Sequence, residues 1–141
     1  MSRCLGLDWG EKRTGVAVSD DRHRLAVGYA VWPTRELFTR LTSVVPQEEI
    51  GLIVIGYPLT LRGEVGTKAK QVDRVVRELE RQGYAVCRWD ERYTTSEASR
   101  ALSQIGVSQR RQRGTIDMSA AVLMLQSYLD AKSPREGESG G

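Results

Sequence analysis

The stretches CLGLDWGEKRTGVAVSD (Cys4–Asp20) and LAVGYAVW (Leu25–Trp32) decide the fold class. They contain three runs of apolar and β-branched residues, separated only by short polar turns. Strands joined by such short turns pair in antiparallel fashion. We therefore predict an antiparallel meander whose strands cover residues 4–9, 14–19 and 25–32.

Beyond residue 32 the pattern changes to alternating helices and strands. The continuous apolar run GLIVIG (Gly51–Gly56) is typical of a strand buried on both faces, and residues 84–89 form a fifth strand. Apolar residues at helical spacing predict the helices. These cover residues 33–46, 64–82, 94–102 and 117–131. An α/β domain with a mixed five-stranded sheet and helices on both faces follows, and its element order resembles that of RNase H-like proteins.

Length and composition fit a single domain. The chain has 141 residues, of which 40% are hydrophobic, enough to bury a core. Residues 133–141 are Ser, Pro, Gly and charged, so we predict a folded domain over residues 1–132 and a disordered tail. Neither a signal peptide nor an apolar run of about 20 residues is present, so we expect a cytoplasmic protein with no membrane contact.

The scarcity of histidine and cysteine limits the chemistry. There is one histidine, His23, which excludes a multi-histidine metal site and disfavours a Ser-His-Asp triad. The two cysteines, Cys4 and Cys87, lie in apolar runs and are expected to be buried free thiols. Any metal must be held mainly by carboxylates, which favours Mg²⁺ or Mn²⁺ over Zn²⁺.

Acidic residues follow the ends of predicted elements that can meet in space. Asp8 ends the first strand, Asp90 and Glu91 follow the fifth, and Asp117 is predicted to start the last helix. Ligands of such sheets gather beyond the strand ends. Carboxylates can lie close together when a divalent cation neutralises their negative charges. Two ions about 4 Å apart can activate a water and stabilise the leaving oxygen of a phosphodiester.

Each acid also has a structural interpretation that needs no ligand. Asp8, before Trp9 and Gly10, fits a turn residue that accepts a local backbone hydrogen bond. Asp117 fits a helix N-cap. Glu91, between Asp90 and Arg92, fits a surface ion cluster. The separate motifs leave these alternatives open.

Basic residues provide the complementary feature. The chain has 17 Arg and 4 Lys, and Arg can bind a phosphate through two parallel hydrogen bonds. Residues 98–116 contain no acid, and the glycine-rich loop 56–66 precedes a helix, where an anion is favoured. A solvated loop and an ordinary strand-to-helix connection remain the alternatives. The candidate phosphate-binding arginines of these segments are Arg62, Arg100, Arg110, Arg111 and Arg113.

Four segments together resemble the YqgF/RuvX family of RNase H-like proteins, described as pre-16S rRNA nucleases and related to Holliday junction resolvases. They are GLDWGEKRTGVAVSD (Gly6–Asp20), IGYPLTLRGEVG (Ile55–Gly66), DERYTTSEA (Asp90–Ala98) and DMSAAVLMLQSYLD (Asp117–Asp130). The resemblance covers almost the whole chain except the tail. All four segments occur in the family's order and at its spacing.

The resemblance implies roles for particular residues. Asp8 and Asp117 would be catalytic acids, and the middle acid would lie in the DER motif, where Glu91 is favoured over Asp90. The residues that match family positions near the site are Arg13, Arg92, Thr94 and Thr95. Trp9 departs from the family's usual Tyr but keeps an aromatic ring. Related resolvases carry their middle acid on the fourth strand, whereas GLIVIG has none.

We therefore predict a nuclease with two Mg²⁺ or Mn²⁺ ions held by Asp8, Glu91 and Asp117. The resemblance implies a ribosomal RNA precursor as substrate, trimmed at its 5′ end. The alternatives are a resolvase of branched DNA and a non-catalytic RNA-binding maturation factor. An actin-like ATPase is disfavoured because it needs two related domains to enclose its nucleotide. Monomer and homodimer both remain open.

Overall fold

A computed structural model describes residues 2–60, 62–93 and 113–132, with residue 93 and residues 113–117 described by backbone alone. The strands are β1 (Arg3–Asp8), β2 (Arg13–Ser19), β3 (Ala26–Pro33), β4 (Ile50–Tyr57) and β5 (Val86–Asp90). They form one sheet in the order β3-β2-β1-β4-β5. β1, β2 and β3 pair antiparallel, whereas β4 is parallel to β1 and to β5. The predicted meander and mixed sheet are confirmed.

Helices cover both faces of this sheet. They are α1 (Leu37–Gln47), preceded by a 3₁₀ turn at Thr34–Glu36, α2 (Thr67–Arg81) and α3 (Arg113–Lys132). The buried residues of α1 and α2 share one apolar cluster with the sheet, and those of α3 share a second. The predicted two-sided arrangement is therefore confirmed, with α3 alone on its face among the described helices.

The alternation of side chains along β1 points its last residue toward α3. Leu5 and Leu7 lie in the cluster of α1 and α2, whereas Cys4 packs with α3. Gly6 lies directly under α3, because a Cβ built on it would stand 2.9 Å from Leu125 Cβ. Since successive side chains of a strand alternate between faces, Asp8 follows on the α3 face.

The last helix begins earlier than the sequence pattern indicates. The sequence pattern predicts a helix start at Asp117, and Gly114 favours a loop before it, but α3 begins at Arg113. Gly114 costs about 1 kcal/mol inside a helix relative to Ala but does not stop it. Asp117 is therefore the fifth residue of α3, and its interpretation as an N-cap is wrong.

The second helix begins later than predicted, at Thr67 instead of Glu64. The reason is a turn in which the Glu64 N–H donates to Thr60 Oγ1 at 3.0 Å and the Thr60 N–H donates to the Glu64 carbonyl at 3.0 Å. Val65, which lies within the predicted helix range 64–82, therefore precedes α2 and is 47% exposed.

Smaller differences concern a proline and a cysteine. Pro46 lies inside the last turn of α1 instead of ending it. Cys4 is buried as expected, but Cys87 is only half-buried. The helix predicted at 94–102, most of the loop after it and the tail at 133–141 lie outside the described residues. None of the helices within the described ranges is long and apolar enough to cross a bilayer.

Candidate active site

The carboxyl ends of β1 and β4 place Asp8 beside Gly56. Leu7 pairs with Ile55 in the parallel register of these strands, so the next residues along, Asp8 and Gly56, are neighbours. Adjacent strands lie about 4.8 Å apart. Gly56 has no side chain, and this leaves the sheet surface next to Asp8 open on the α3 side.

Glu91 fills the space over Gly56. It follows the end of β5, where Trp89 pairs with Gly56 and Asp90 with Tyr57. A Cβ built on Gly56 would stand only 2.6 Å from Glu91 Oε1, so the carboxylate lies directly on the glycine. A glycine at this position lets the Glu91 carboxylate approach the sheet this closely.

Glu91 lies close enough to Asp8 to be affected by its charge, as its place over Gly56 leads one to expect. Burial raises the pKa of the Glu91 carboxyl, and the negative charge of Asp8 raises it further. Asp90 acts in the same direction more weakly, while the ammonium of Lys68 opposes the rise in the Glu91 pKa. A half-buried carboxylate repelled by a second one is a typical feature of functional sites.

Asp90, the residue before Glu91, has a different partner. Its Oδ2 accepts hydrogen bonds from Arg92 Nη2 at 2.7 Å and Nε at 3.0 Å. Its Oδ1 accepts the Arg92 backbone N–H at 2.9 Å. The Arg92 guanidinium holds the pKa of Asp90 below its usual range. Of the two adjacent acids, Glu91 is the one whose pKa the charge of Asp8 raises, and Asp90 is the one bonded to Arg92.

The turn that follows Asp8 is fixed by one threonine. Thr34 Oγ1 donates to the Gly10 carbonyl at 2.6 Å, and the Thr34 N–H donates to the Lys12 carbonyl at 2.9 Å. Thr34 Oγ1 also lies 2.8 Å from Thr14 Oγ1, which is fully buried. The end of β1 is thus tied to the start of α1.

The predicted nucleic-acid-binding residues fall into three groups. Arg13 starts β2, Arg62 lies in the loop after β4, and both are exposed, as is Arg92. Arg113 is the first residue of α3 and is described by its backbone alone. The remaining predicted residues lie outside the described part of the chain, namely Thr94, Thr95, Arg100, Arg110 and Arg111.

Lys68 is a residue of this region that the sequence reasoning missed. It lies in the first turn of α2 and acts electrostatically on Glu91. A cation is unfavourable at a helix N-terminus, where the helix dipole is positive. A lysine there, after a glycine-rich loop, was the signal that could have identified it.

Within the described residues, no group of three or more His, Cys, Asp or Glu side chains could by itself hold a metal. Asp8 and Glu91 supply two carboxylates at one place, and the Asp117 side chain is outside the description. The donors that are present are all oxygens, and their mutual repulsion is the condition that a hard divalent cation relieves. The donor set therefore fits Mg²⁺ or Mn²⁺.

Comparisons with known proteins bear on both fold and family. A family model described as "RuvX: Holliday junction resolvase" matches residues 2–131. A protein of Syntrophus aciditrophicus named "Putative pre-16S rRNA nuclease" is 45% identical over 137 residues, covering 93% of this chain and 90% of its own length. A protein of Halalkalibacterium halodurans with the same name is 38% identical over 136 residues, covering 91% and 96%.

Solved structures agree on the architecture. T. thermophilus RuvC in complex with a Holliday junction substrate matches with a TM-score of 0.59 at 11% identity, covering 94% of this chain and 96% of that chain. The yeast mitochondrial Holliday junction resolvase Ydc2 matches with a TM-score of 0.53 at 10% identity, covering 91% and 78%. At such identities the likeness concerns the fold alone, and it confirms the RNase H-like prediction.

Proposed function

The chain belongs to the RuvX family, and on this basis we propose that it is a divalent-metal-dependent nuclease that hydrolyses phosphodiester bonds in RNA. The names of its relatives point to the precursor of the small-subunit ribosomal RNA as the substrate. The single observation that carries the proposal is the Glu91 carboxylate, which lies over Gly56 and faces Asp8.

The arrangement of these acids supports metal binding. Asp8 and Glu91 come from β1 and from the residue after β5, and in metal-free protein they repel each other. Their oxygens, with those of Asp117, would hold the ions. Two Mg²⁺ or Mn²⁺ ions, when bound, would supply the positive charge that activates an attacking water and stabilises the leaving oxygen.

The face on which α3 packs is consistent with Asp117 as the third acid. Leu125 of α3 lies over Gly6 of β1, and Met118, the residue after Asp117, packs against Gly28 of β3. Gly6 and Gly28 both pair with Ala17 of β2, so α3 crosses the strands from β3 toward β1. This is the face to which the alternation along β1 directs Asp8. The role of Asp117 as a ligand is part of the proposal and follows from the family resemblance of its segment.

The basic side chains fit the task of holding a polyanion beside the acids. Arg13, Arg62 and Lys68 are exposed on the elements that border Asp8 and Glu91. Charged side chains of this kind bind backbone phosphates without reading sequence, so the affinity for RNA should fall steeply with salt. These residues would bind and orient the strand, while the acids act on one phosphate.

The experiment is a cleavage assay with purified protein and Mn²⁺ or Mg²⁺. Precursor ribosomal RNA, poly-A RNA and a four-way DNA junction are compared for the wild type, Asp8→Asn, Glu91→Gln and Asp117→Asn. We expect cleavage of the precursor to fall by at least about 100-fold in each variant, with folding retained. Asp21→Asn, in an exposed turn, is the matched control and should cut like the wild type.

Two outcomes favour the other candidates. Cleavage of the junction but not of RNA would support a resolvase, in line with the description of the family. Salt-sensitive RNA binding that survives all three substitutions, without cleavage by the wild type, would identify a non-catalytic binding factor. Unchanged cleavage in the Asp8→Asn variant would refute the metal mechanism.

A further inference from the structure

Asp90 and Arg92, the residues on either side of Glu91, are hydrogen-bonded to each other. Both carboxylate oxygens of Asp90 accept from the Arg92 side chain, at 2.7 to 3.1 Å, and Oδ1 also accepts the Arg92 backbone N–H at 2.9 Å. The last bond closes a ring over the intervening residue, as in an Asx turn. The backbone of Glu91 is thereby fixed between two residues that are bonded to each other.

The guanidinium of Arg92 also lies against the loop that follows β4. A Cβ built on Gly63 would stand 3.2 Å from Arg92 Nη1, so the guanidinium approaches the backbone of that residue closely. Gly63 has a positive φ of 81°, which favours glycine. Arg92, just after β5, therefore packs against the loop between β4 and α2.

Glu91 is thus held from two sides. Gly56 of β4 lies beneath its carboxylate, with no side chain in the way. The bonds between Asp90 and Arg92 set the 3₁₀ turn (Glu91–Tyr93) from which its side chain leaves. This turn follows directly from β5, whose last residue pairs with Tyr57.

We propose that Asp90 and Arg92 are positioning residues that direct the Glu91 carboxylate toward Asp8, and that Asp90 is not itself a metal ligand. This inference rests on the proposed role of Glu91 in holding the ions. It assigns different tasks to the two adjacent acids of the DER motif, and it gives Arg92 a task besides binding phosphate.

Because the ion pair of Asp90 and Arg92 is partly exposed, we expect it to matter more for the orientation of Glu91 than for the stability of the fold. The Arg92 side chain is 39% exposed and that of Asp90 13%. Ion pairs near the surface contribute about 0 to 1 kcal/mol to stability. Residues that orient a metal ligand, by contrast, change metal affinity or activity about 10- to 100-fold when they are replaced.

The test is a calorimetric titration of Mn²⁺ into Asp90→Asn, Arg92→Ala, the double variant, Arg92→Lys and Glu91→Gln, with cleavage rates measured alongside. We expect Asp90→Asn and Arg92→Ala each to weaken Mn²⁺ binding about tenfold, with the melting temperature nearly unchanged. The double variant should be no worse than either single variant, because both act through one pair. Arg92→Lys should recover part of the affinity.

The matched control is Arg81→Ala. Arg81 forms an exposed ion pair with Glu78 on α2, three residues apart and remote in sequence from the DER motif. Its removal should leave Mn²⁺ affinity and cleavage unchanged. Gly63→Ala is a second probe: it strains the backbone at the positive φ of Gly63 and brings a Cβ to 3.2 Å from the guanidinium without removing any charge. It should weaken Mn²⁺ binding in the same direction.

Other outcomes would overturn the proposal in distinguishable ways. If Asp90→Asn abolishes Mn²⁺ binding while Arg92→Ala leaves it intact, Asp90 is a ligand. If Arg92→Ala raises only the KM for RNA, Arg92 binds substrate and does not position Glu91. If Glu91→Gln leaves Mn²⁺ affinity unchanged, the proposed function itself fails, whatever the other variants show.

Discussion

Glu91 Oε1 lies only 2.6 Å from the position of a Cβ built on Gly56, which is too close for a real side chain to fit without a shift. The contact joins the residue after β5 to the carboxyl end of β4, one strand away from Asp8. A missing side chain thus determines where a carboxylate can lie. The contact also offers a way to move that carboxylate without changing its charge.

Gly56→Ala should reduce Mn²⁺-dependent cleavage about 10- to 100-fold by forcing the Glu91 carboxylate away from Asp8. The obstacle is the end of a flexible side chain, so stability should fall by only about 1 kcal/mol. Cleavage rates and urea unfolding would measure the two effects. In a Glu91→Ala background the added methyl group should cost no stability, and a full cost there would contradict the assigned contact.

Glu91→Gln should stabilise the metal-free protein at neutral pH. The folded-state pKa of Glu91 is raised, by burial first and by Asp8 second. Its protonated form is therefore the stabilising one, and that stability is lost as the pH rises through the folded-state pKa. Gln mimics the protonated form and avoids this loss.

The measurement is the melting temperature of Glu91→Gln and of the wild type in the presence of a metal chelator, from about pH 4 to pH 8. The melting temperature of the variant should rise relative to that of the wild type as the pH increases. Glu80→Gln removes an exposed charge from α2 and serves as the control. Added Mn²⁺ should reverse the order by stabilising the wild type alone. An equal difference at every pH would mean that Glu91 is not titrating in this environment.

Lys68→Met should shift the pH dependence of Mn²⁺ binding toward higher pH. The Lys68 ammonium lowers the pKa of Glu91, so its loss leaves less ionised carboxylate at any given pH near the midpoint. Lys70→Met, two residues along the same helix and exposed, is the control. The same midpoint in both variants would show that Lys68 does not act on the site.

Gly6→Ala should loosen α3 from the sheet. Its Cβ would stand 2.9 Å from Leu125 Cβ, at the centre of a buried interface, and overpacking of this kind costs about 1 to 3 kcal/mol. Cleavage should fall as well, since α3 carries Asp117. Gly66→Ala is the control for stability, because its Cβ would stand 3.7 Å from Thr60 Cγ2, which is an ordinary van der Waals contact. Equal losses in urea unfolding would disprove the close packing at Gly6.

Much of the fold could be predicted from the sequence because each strand has a simple hydrophobic pattern. Short turns set the meander, and GLIVIG identified the buried central strand. The helix boundaries were harder to predict. The start of α2 depends on the hydrogen bonds between Thr60 and Glu64, and the start of α3 runs through Gly114, which suggested a loop.

The site was predictable in its residue types but not in its geometry. Asp8 and the DER acids were identified as partners because they follow strand ends that meet at one edge. Which of Asp90 and Glu91 meets Asp8 depends on contacts with Gly56 and Arg92, and these are tertiary. Lys68 was missed for the same reason. The assignment of Asp117 as a ligand stays a prediction.

The packing of α3 across β1, β2 and β3 means that the first strand is covered by the last described helix. A ribosome must therefore synthesise the chain as far as α3 before this helix can cover β1. A nascent chain that lacks α3 would expose Cys4, Ala17 and Val54, and it would also lack Asp117, the proposed third acid. Under that proposal, nuclease activity would arise only after α3 has been synthesised and has packed onto the sheet.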